Sequence, residues 1–217
     1  MTTQATGGEE GLLESGCREL GVELTAAQRE CLIRYLDLLY VWNKAAGLTT
    51  IRRPDAVRLH LLDSLAALGA VAAGEGGPCL DLGTGAGLPG MVLAIALPGV
   101  QFVLAESNRR RCSFLLEVVR VLRVPNVRVV EGDVDTLPRD PAFPLVISRA
   151  FRQPPEFLRI ARGFVETGGR VVLLMADPTF AALEALETGA DLKLLDCRRL
   201  HLPAGNEPRA IVTFQRA

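Results

Sequence analysis

The sequence predicts one α/β domain: a Rossmann-like, mainly parallel seven-stranded sheet with helices on both faces, preceded by a small N-terminal helical extension. From Cys79 onwards, short apolar segments alternate with segments of helical periodicity, which is typical of such a sheet. A glycine-rich loop joins the first apolar segment to a helix. The 217 residues are too few for two full-sized domains. We therefore place the extension at residues 1–75 and the main domain at residues 76–217.

Two helices are predicted before the sheet. Residues 1–20 begin with small and acidic residues and lack a sustained apolar pattern, so we expect a frayed start. Thr25 and Gln28 form the signature of a capping box, and Gly47 is suited to end the helix that follows it. Pro54 suits the first turn of a second amphipathic helix.

Seven strands are predicted in the main domain. Their bounds are Cys79–Leu82, Gln101–Glu106, Val127–Glu131, Leu145–Ser148, Arg170–Met175, Lys193–Arg198 and Ala210–Gln215. Helices fit between most of them, at Gly90–Leu97, Arg109–Leu122, Pro155–Phe164 and Thr179–Glu187. The last two strands are joined by a loop too short for a crossover helix, so they should pair antiparallel. A parallel sheet that ends in an antiparallel hairpin is more typical of class I S-adenosylmethionine-dependent methyltransferases than of dehydrogenases.

Composition excludes several classes of protein. Hydrophobic residues make up 49% and charged residues 23% of the chain, which excludes a mainly disordered protein. The longest clean apolar run, Met91–Leu97, is far shorter than the roughly 20 residues of a membrane span, and the polar N-terminus resembles no secretory signal. The five cysteines are odd in number and never form a CxxC pair, which argues against disulfides and a metal site. We expect a cytoplasmic protein without membrane contact.

Charge is informative in its distribution. The net charge of -1 excludes the uniformly basic surface of a general nucleic-acid binder, and we expect no DNA partner. Between Gln101 and Arg128, however, six arginines face only Glu106 and Glu117, a balance of +4 (6 − 2). Guanidinium groups offer a planar donor fork for phosphate, so this segment is either a local RNA-binding patch or a solvated face.

The glycine loop from Leu80 to Gly90 is the strongest local signal. Glycine is needed where a Cβ would block a tight turn or the close approach of a ligand to the backbone. The loop also satisfies GxGxxG, the dinucleotide fingerprint. Asp81 favours S-adenosylmethionine instead, because a carboxylate just before the glycines repels pyrophosphate but can hold the cationic methionine amino group, directly or through water.

Two further segments fit the adenosine part of this cofactor. Glu106 ends the second predicted strand, where an acid can accept both ribose hydroxyls in either cofactor class. After the third strand, Asp133 and Val134 can place an acceptor at the adenine amino group and an apolar wall beside the ring. Dehydrogenase chemistry also needs an acid–base residue, and the chain has only two Tyr, two His and two Lys residues.

Taken together, the chemistry-bearing motifs resemble one family. They are the glycine loop, Glu106-Ser107 leading to Phe114-Leu115, Ser148-Arg149-Ala150, Trp42-Asn43-Lys44, and the HxxDSL segment from His60 to Leu65. In this combination, from about Leu24 to Arg170, the chain resembles the RsmG (GidB) family, which methylates N7 of a guanine in small-subunit (16S) ribosomal RNA with S-adenosylmethionine. The resemblance implies that Gly83 and Leu88 line the cofactor, that Val134 and Asp135 flank the adenine, and that Arg149 lies beside cofactor and substrate.

The chain departs from the family pattern at several positions. Members usually carry a lysine pair where Arg109 to Arg111 stand, which keeps the charge. They also carry an arginine at Asp133 and a lysine at Met175, and these two charges are lost here. A methyltransferase of another RNA site or of a small molecule, or an inactive cofactor-binding paralogue, therefore stays open as an alternative.

Methyl transfer to guanine N7 needs alignment and water exclusion but no general base, because N7 carries a lone pair and no proton. Arg149 is the predicted catalytic residue, placed to position a phosphate or the base edge unless it only forms a structural ion pair with Asp81, Glu106 or Asp135. The predicted cofactor-binding residues are Asp81, Gly83, Gly85, Gly87, Leu88, Glu106, Ser107, Asp133, Val134, Asp135 and Arg149. The predicted RNA-binding residues are Arg109, Arg110, Arg111 and Arg152. We expect a monomer whose partner is ribosomal RNA or the small ribosomal subunit.

Overall fold

The computed structural model describes residues 3–73, 76–149, 152–176 and 191–217. Its strands are β1 (Cys79–Leu82), β2 (Phe102–Glu106), β3 (Val127–Glu131), β4 (Phe143–Arg149), β5 (Val165–Ala176), β6 (Leu192–His201) and β7 (Pro208–Arg216). Its α-helices are α1 (Thr3–Leu20), α2 (Ala26–Ala46), α3 (Asp63–Leu65), α4 (Leu68–Ala72), α5 (Gly90–Ala96), α6 (Arg109–Leu122) and α7 (Pro154–Ala161). The helix predicted at Thr179–Glu187 lies outside the described residues.

The seven strands form one sheet in the order β3-β2-β1-β4-β5-β7-β6. Strands β1 to β5 pair in parallel, whereas β7 runs antiparallel to both β5 and β6, which confirms the predicted terminal hairpin. The chain leaves β1 towards β2 on one side and places β4 on the other. The carboxyl end of β1 is therefore a topological switch point, where sheets of this kind open a ligand crevice.

The expected frayed N-terminus is wrong, because residues from Thr3 to Leu20 form helix α1. Leu13 and Cys17 of this helix are buried, and their spacing of four residues places them on one face. Gly16 lies against the side chain of Leu62, which allows α1 to approach the rest of the extension closely. A short apolar face and a glycine contact hold this helix, and neither produces a sustained hydrophobic pattern.

Helix α2 matches its prediction closely. Thr25 and Gln28 form the reciprocal capping box, and Gly47 ends the helix in the left-handed conformation with φ at 58°. The amide of Gln28 also donates to the carbonyl oxygens of Ile95 and Ala96 at the end of α5, at 3.1 and 2.9 Å. One side chain therefore starts α2 and satisfies the last carbonyls of another helix.

The second predicted helix is present but is not a continuous α-helix. It begins with a 3₁₀ turn at Arg53–Asp55, continues as a π-helix over Val57–Leu62 and ends in the single turn α3. A π-helical turn holds an extra residue and is often found at functional sites. His60 of this turn and Asp63 directly after it are both buried.

The core consists of one apolar cluster on each face of the sheet. The first cluster joins the extension to the main domain, since Leu13, Leu32 and Leu61 pack in it with Met91 and Phe114. Trp42 is partly buried and packs against Phe114 with ring centroids 6.0 Å apart. Within the described residues, no helix combines the length and the apolar character needed to cross a membrane.

Candidate active site

A cleft with two lobes opens at the carboxyl ends of the central strands. The larger lobe has a volume of about 590 Å³ and lies among the glycine loop, the 47–51 loop (residues 47 to 51) and the ends of β4 and β5. The smaller lobe has a volume of about 320 Å³ and lies between the glycine loop and the ends of β2 and β3. Gly83 and Arg111 line both lobes, so the two volumes are parts of one elongated cleft.

The three alternating glycines of the loop have different roles. Gly83, Gly85 and Gly87 have positive φ angles of 66°, 61° and 93°. A Cβ on Gly85 would meet no atom closer than the carbonyl oxygen of Gly83 at 4.0 Å, so it would project into the open cleft. A Cβ on Gly87 would lie 2.8 Å from Met91 and 2.9 Å from Leu115. Gly87 lines neither lobe and serves helix packing, unlike its predicted cofactor contact.

Asp81 is fully buried beneath the loop and lines neither lobe. Its Oδ2 accepts hydrogen bonds from the Thr84 hydroxyl at 2.6 Å and from the Gly90 amide at 2.8 Å, so the carboxylate braces both ends of the loop. Its Oδ1 is buried and has no hydrogen-bond partner among the described residues. Burial raises the pKa of Asp81 to about 6, against the lowering effect of these two hydrogen bonds.

Glu106 is buried at the end of β2 and lines the smaller lobe. Its Oε2 accepts from the Gly85 amide at 2.9 Å, and its Oε1 accepts from the Asn108 amide at 2.8 Å. Arg111 lies 3.7 Å from the same carboxylate. The carboxylate therefore fixes the glycine loop and the start of α6 from the wall of the smaller lobe.

The remaining residues of the smaller lobe include most of those predicted for adenine. Ser107, Asp133, Val134 and Arg152 line it, and Val134 is buried as an apolar wall. Asp135 lines neither lobe, and its amide donates to Asp133 Oδ1 at 3.0 Å. Arg152, predicted to bind RNA, lies at this lobe and pairs with Glu156 at 3.3 Å.

The three arginines at the start of α6 do not share one environment. Arg109 and Arg110 are exposed, as expected for an RNA-binding pair. Arg111 lies inside the cleft beside Glu106, so its predicted grouping with the other two does not match its position. Arg111 lies three and four residues before the buried Phe114 and Leu115. That spacing places it on the inward face of the helix, a signal present in the sequence.

Arg149 lines the larger lobe and forms an ion pair, but with none of the acidic residues considered from the sequence. Its Nη1 donates to Asp63 Oδ2 at 2.8 Å and to the carbonyl oxygen of Leu59 at 2.9 Å. The other oxygen of Asp63 accepts from Arg209 Nε at 2.9 Å. Sequence analysis missed the roles of Asp63 and Arg209, which lie 86 and 60 residues from Arg149 along the chain (149 − 63 and 209 − 149).

His60 is buried at the wall of the same lobe. Its Nε2 lies 2.9 Å from the Thr49 hydroxyl, and its Nδ1 has no hydrogen-bond partner among the described residues. Burial, with a further contribution from Arg149, lowers the pKa of His60 to about 4. The imidazole is therefore neutral at physiological pH and holds the 47–51 loop in place.

Helix α2 supports two walls of the cleft through three of its side chains. The Tyr35 hydroxyl donates to the carbonyl oxygen of Ala86 in the glycine loop at 2.7 Å. Asn43 exchanges two hydrogen bonds with the backbone of Thr49, at 3.0 and 2.9 Å, and the Tyr40 hydroxyl donates to Ile51 at 2.7 Å. The extension thus positions both the glycine loop and the 47–51 loop.

Replacing Tyr35 with phenylalanine is expected to weaken S-adenosylmethionine binding about threefold to tenfold, because the buried Ala86 carbonyl loses a hydrogen bond that contributes about 0.5–1.5 kcal/mol. Tyr40→Phe is the matched control, since it removes a hydroxyl that holds the 47–51 loop instead. Calorimetry should show a larger loss of affinity for Tyr35→Phe. Equal affinities in the two variants would contradict a role of Tyr35 in positioning the glycine loop.

Two features of the site bear on the cofactor that the sequence predicts. Asp81 Oδ1 is a buried, unpartnered acceptor for a cationic amino group or a bridging water, and Gly85 leaves space that any Cβ would fill. Among the described residues, no three His, Cys, Asp or Glu side chains are grouped as metal ligands. All five cysteines are free thiols.

Comparison with solved structures identifies the fold. A structure described as TrmN from Thermus thermophilus aligns with a TM-score of 0.58 at 22% identity, over 72% of this chain and 48% of that one. The glycopeptide N-methyltransferase MtfA, complexed with S-adenosylmethionine, aligns with a TM-score of 0.58 at 13% identity, over 71% of this chain and 94% of that one. The predicted Rossmann-like class I methyltransferase fold is thereby confirmed.

Comparison of sequences identifies the family. Residues 28–212 match the family model GidB, described as rRNA small subunit methyltransferase G. A protein of that name from Chromohalobacter salexigens is 36% identical over 210 residues, 96% of this chain and 98% of the relative. Another from Methylobacillus flagellatus is 42% identical over 158 residues, 72% of this chain and 76% of the relative. The family that the sequence motifs resemble is therefore the one to which this chain belongs, the GidB family of small-subunit rRNA methyltransferases.

Proposed function

We propose that this chain is an S-adenosylmethionine-dependent methyltransferase that modifies N7 of a guanine in small-subunit (16S) ribosomal RNA. The observation that carries the proposal is the two-lobed cleft around the glycine loop, in a chain that belongs to this family. The smaller lobe would take the adenosine of the cofactor, and the larger lobe would take its methionine part together with the acceptor base.

Individual residues of the cleft have distinct proposed roles towards the cofactor. Glu106 would accept the ribose hydroxyls, and Asp133 and Val134 would contact the adenine from the rim and wall of the smaller lobe. Gly83, Gly85 and Leu88 line the larger lobe and would lie against the methionine part. Asp81 would hold the amino group through its unpartnered Oδ1, either after a small shift of the loop or through a water molecule.

When bound, S-adenosylmethionine supplies an electrophilic methyl group on a cationic sulfur. The residues around the larger lobe need only align the guanine and exclude water, because N7 presents a lone pair and gives up no proton. The ionisable groups of the lobe agree with this requirement. His60 is neutral but is engaged with Thr49, and Arg149 is held by Asp63. We propose Arg149 as the residue that positions the substrate RNA, through the donor groups that its ion pair leaves unused.

One observation favours a second candidate function. Met175 and Ala176 line the larger lobe, and Asp133 lines the smaller one, so the rim lacks cations at two positions where the family usually carries them. A methyltransferase of another RNA site or of a small molecule would tolerate such a rim.

Nucleoside mass spectrometry of ribosomal RNA separates these candidates. Small-subunit RNA from cells that lack the gene should be short of one N7-methylguanosine, and the purified protein with S-adenosylmethionine should restore it. Restoration of a different methylated nucleoside would favour the second candidate. Cofactor binding without any methylation of this RNA would contradict the proposed substrate.

The exposed arginines at the start of α6 are expected to bind the RNA backbone. Replacing Arg109 and Arg110 together by glutamine should flatten the log–log salt dependence of RNA binding by about 1.4–1.8, because each phosphate contact contributes about 0.7–0.9. Binding of S-adenosylmethionine should be unchanged. The control pair Arg120→Gln and Arg128→Gln removes the same charge elsewhere. An unchanged slope in the first pair would show that it is only a solvated face.

A further inference from the structure

The larger lobe contains a three-residue ion bridge that cofactor binding, as proposed above, does not use. Asp63 accepts from Arg149 through one carboxylate oxygen at 2.8 Å and from Arg209 through the other at 2.9 Å. All three residues line the lobe. The side chain of Asp63 is 7% exposed, that of Arg149 is 17% exposed and that of Arg209 is 21% exposed, so the bridge is partly shielded from solvent.

The bridge carries an excess of one positive charge, because two guanidinium groups face one carboxylate. His60 lies in the same wall and does not change this balance, since the lowered pKa keeps its imidazole neutral. Arg111, at the other end of the lobe, lies beside Glu106. Burying a cation without a counterion costs free energy. Because the bridge has one unbalanced positive charge, it favours the binding of an anion with a single negative charge.

The bridge also has unused donor groups. Arg149 uses only Nη1, towards Leu59 and Asp63, which leaves Nε and Nη2 without a hydrogen-bond partner among the described residues. Arg209 uses Nε towards Asp63 and Nη1 towards the carbonyl of Pro208, which leaves Nη2. These nitrogen atoms are not among the buried unpartnered atoms of the structure. They are therefore available to a ligand with two acceptor oxygens.

The position of the bridge indicates which anion it takes. Arg149 ends β4 and Arg209 lies at the start of β7, beyond β5. The proposed ribose and adenine residues lie on β2 and just after β3, at the other side of β1. The bridge thus lies on the side of the larger lobe away from the adenosine part of the cofactor. Ala176, which pairs with Arg209 in the sheet, lines the same region of the lobe.

We infer that Arg149 and Arg209 bind one phosphodiester group of the substrate RNA, and that Asp63 is the positioning residue that fixes both guanidinium groups for it. A phosphodiester carries one negative charge and two free oxygens, which matches the charge and the donors of the bridge. The carboxylate of Asp63 reduces the repulsion between the two guanidinium groups and orients both of them. This inference rests on the proposed function, because it requires an RNA substrate.

Arg209→Gln and Asp63→Asn test the inference, with Arg216→Gln as the matched control. Arg216 lies at the opposite end of the same strand, is similarly buried at 29% exposure and also faces an aspartate. The probes are an in vitro transcript of small-subunit ribosomal RNA, for binding across a salt series and for steady-state methylation, and S-adenosylmethionine alone, for calorimetry. Cofactor affinity should stay within twofold of the wild type in all three variants.

Arg209→Gln should flatten the salt slope by up to about 0.9, the contribution of one phosphate, and raise KM for RNA. Asp63→Asn keeps both cations, so it should not flatten the slope. It should nevertheless lower kcat/KM about tenfold or more, because the guanidinium groups are no longer oriented. Arg209→Lys, which keeps the charge without the fork, should retain the slope and recover part of kcat/KM even if Arg209→Gln folds poorly.

Two results would overturn the inference while leaving the proposed function intact. If Arg209→Gln methylates RNA with the wild-type slope and KM, the bridge is only structural. If Arg209→Gln instead weakens the binding of S-adenosylmethionine, the bridge holds the carboxylate of the cofactor. Failure of the wild-type protein to methylate the RNA would instead contradict the proposed function itself.

Discussion

Replacing Gly85 with valine is expected to abolish S-adenosylmethionine binding while leaving the sheet folded. A Cβ at this position projects into the larger lobe, where a ligand passing the glycine loop would lie. The backbone of Gly85 has a φ of 61°, so valine also adds strain on the order of 1–3 kcal/mol to the loop. Calorimetry should detect no binding at cofactor concentrations that saturate the wild type.

The strain and the blocked space need separate controls. Gly21→Val provides one, because Gly21 has a φ of 69°, is exposed after α1 and would place its Cβ in open solvent. It should lower the melting temperature by a similar amount and bind the cofactor normally. If Gly85→Val binds with wild-type affinity, the ligand does not cross the loop. If both variants lose binding equally, strain and not blocked space is the cause.

Sequence alone predicted the elements that are determined by local signals. The bounds of β1, β3 and α6 agree with their predictions, because each has strong flanking residues. At α6, for example, the Asn108 side chain accepts from the amides of Arg110 and Arg111 and so fixes the first turn. The glycine loop was predicted for the same reason, since its conformation depends on residues that follow one another in the chain.

Interactions between distant residues were not predictable in this way. The acidic residues predicted as possible partners of Arg149 are Asp81, Glu106 and Asp135, which lie at the ends of predicted strands or close after them. The actual partner, Asp63, lies on α3. Its position depends on the π-helical turn before it, for which the sequence has no clear local signal.

The role of Arg111 could have been predicted, because helical periodicity separates it from its neighbours. Successive residues of an α-helix point about 100° apart, so three consecutive arginines cannot share one environment. Arg111 shares the face of Leu115 and Val118, which are buried, and Arg109 and Arg110 do not. A count of charge along the chain takes no account of helical direction. That count hid the difference between a cleft residue and a surface pair.

Replacing Asp81 with asparagine is expected to stabilise the ligand-free protein and to weaken cofactor binding. The folded protein raises the pKa of Asp81 from 3.8 to about 6, because the carboxyl is buried. The folded state therefore holds the proton more tightly than the unfolded state does. The favourable contribution of protonated Asp81 to the free energy of unfolding is complete below pH 3.8 and is lost as the pH rises to about 6. At neutral pH the buried charge costs on the order of 3 kcal/mol, from a difference of about two pKa units.

Asparagine removes this cost and keeps an oxygen that can accept from the Gly90 amide. The melting temperature of Asp81→Asn should therefore exceed that of the wild type at pH 8 and approach it at pH 5. The exposed Asp135→Asn, which lies outside the cleft, is the control and should show no such pH dependence.

Binding of S-adenosylmethionine should change in the opposite direction, because its cationic amino group needs the ionised carboxylate. Loss of this charged interaction is expected to cost about 1.5–3 kcal/mol, or roughly tenfold to a hundredfold in affinity at pH 8. The wild-type affinity should itself fall as the pH drops through 6 and Asp81 becomes protonated, whereas the affinity of the variant should stay flat. A variant that loses stability as well as affinity at pH 8 would show that Asp81 only braces the loop through Thr84 and Gly90. A rise in stability with unchanged affinity would place the amino group elsewhere in the larger lobe.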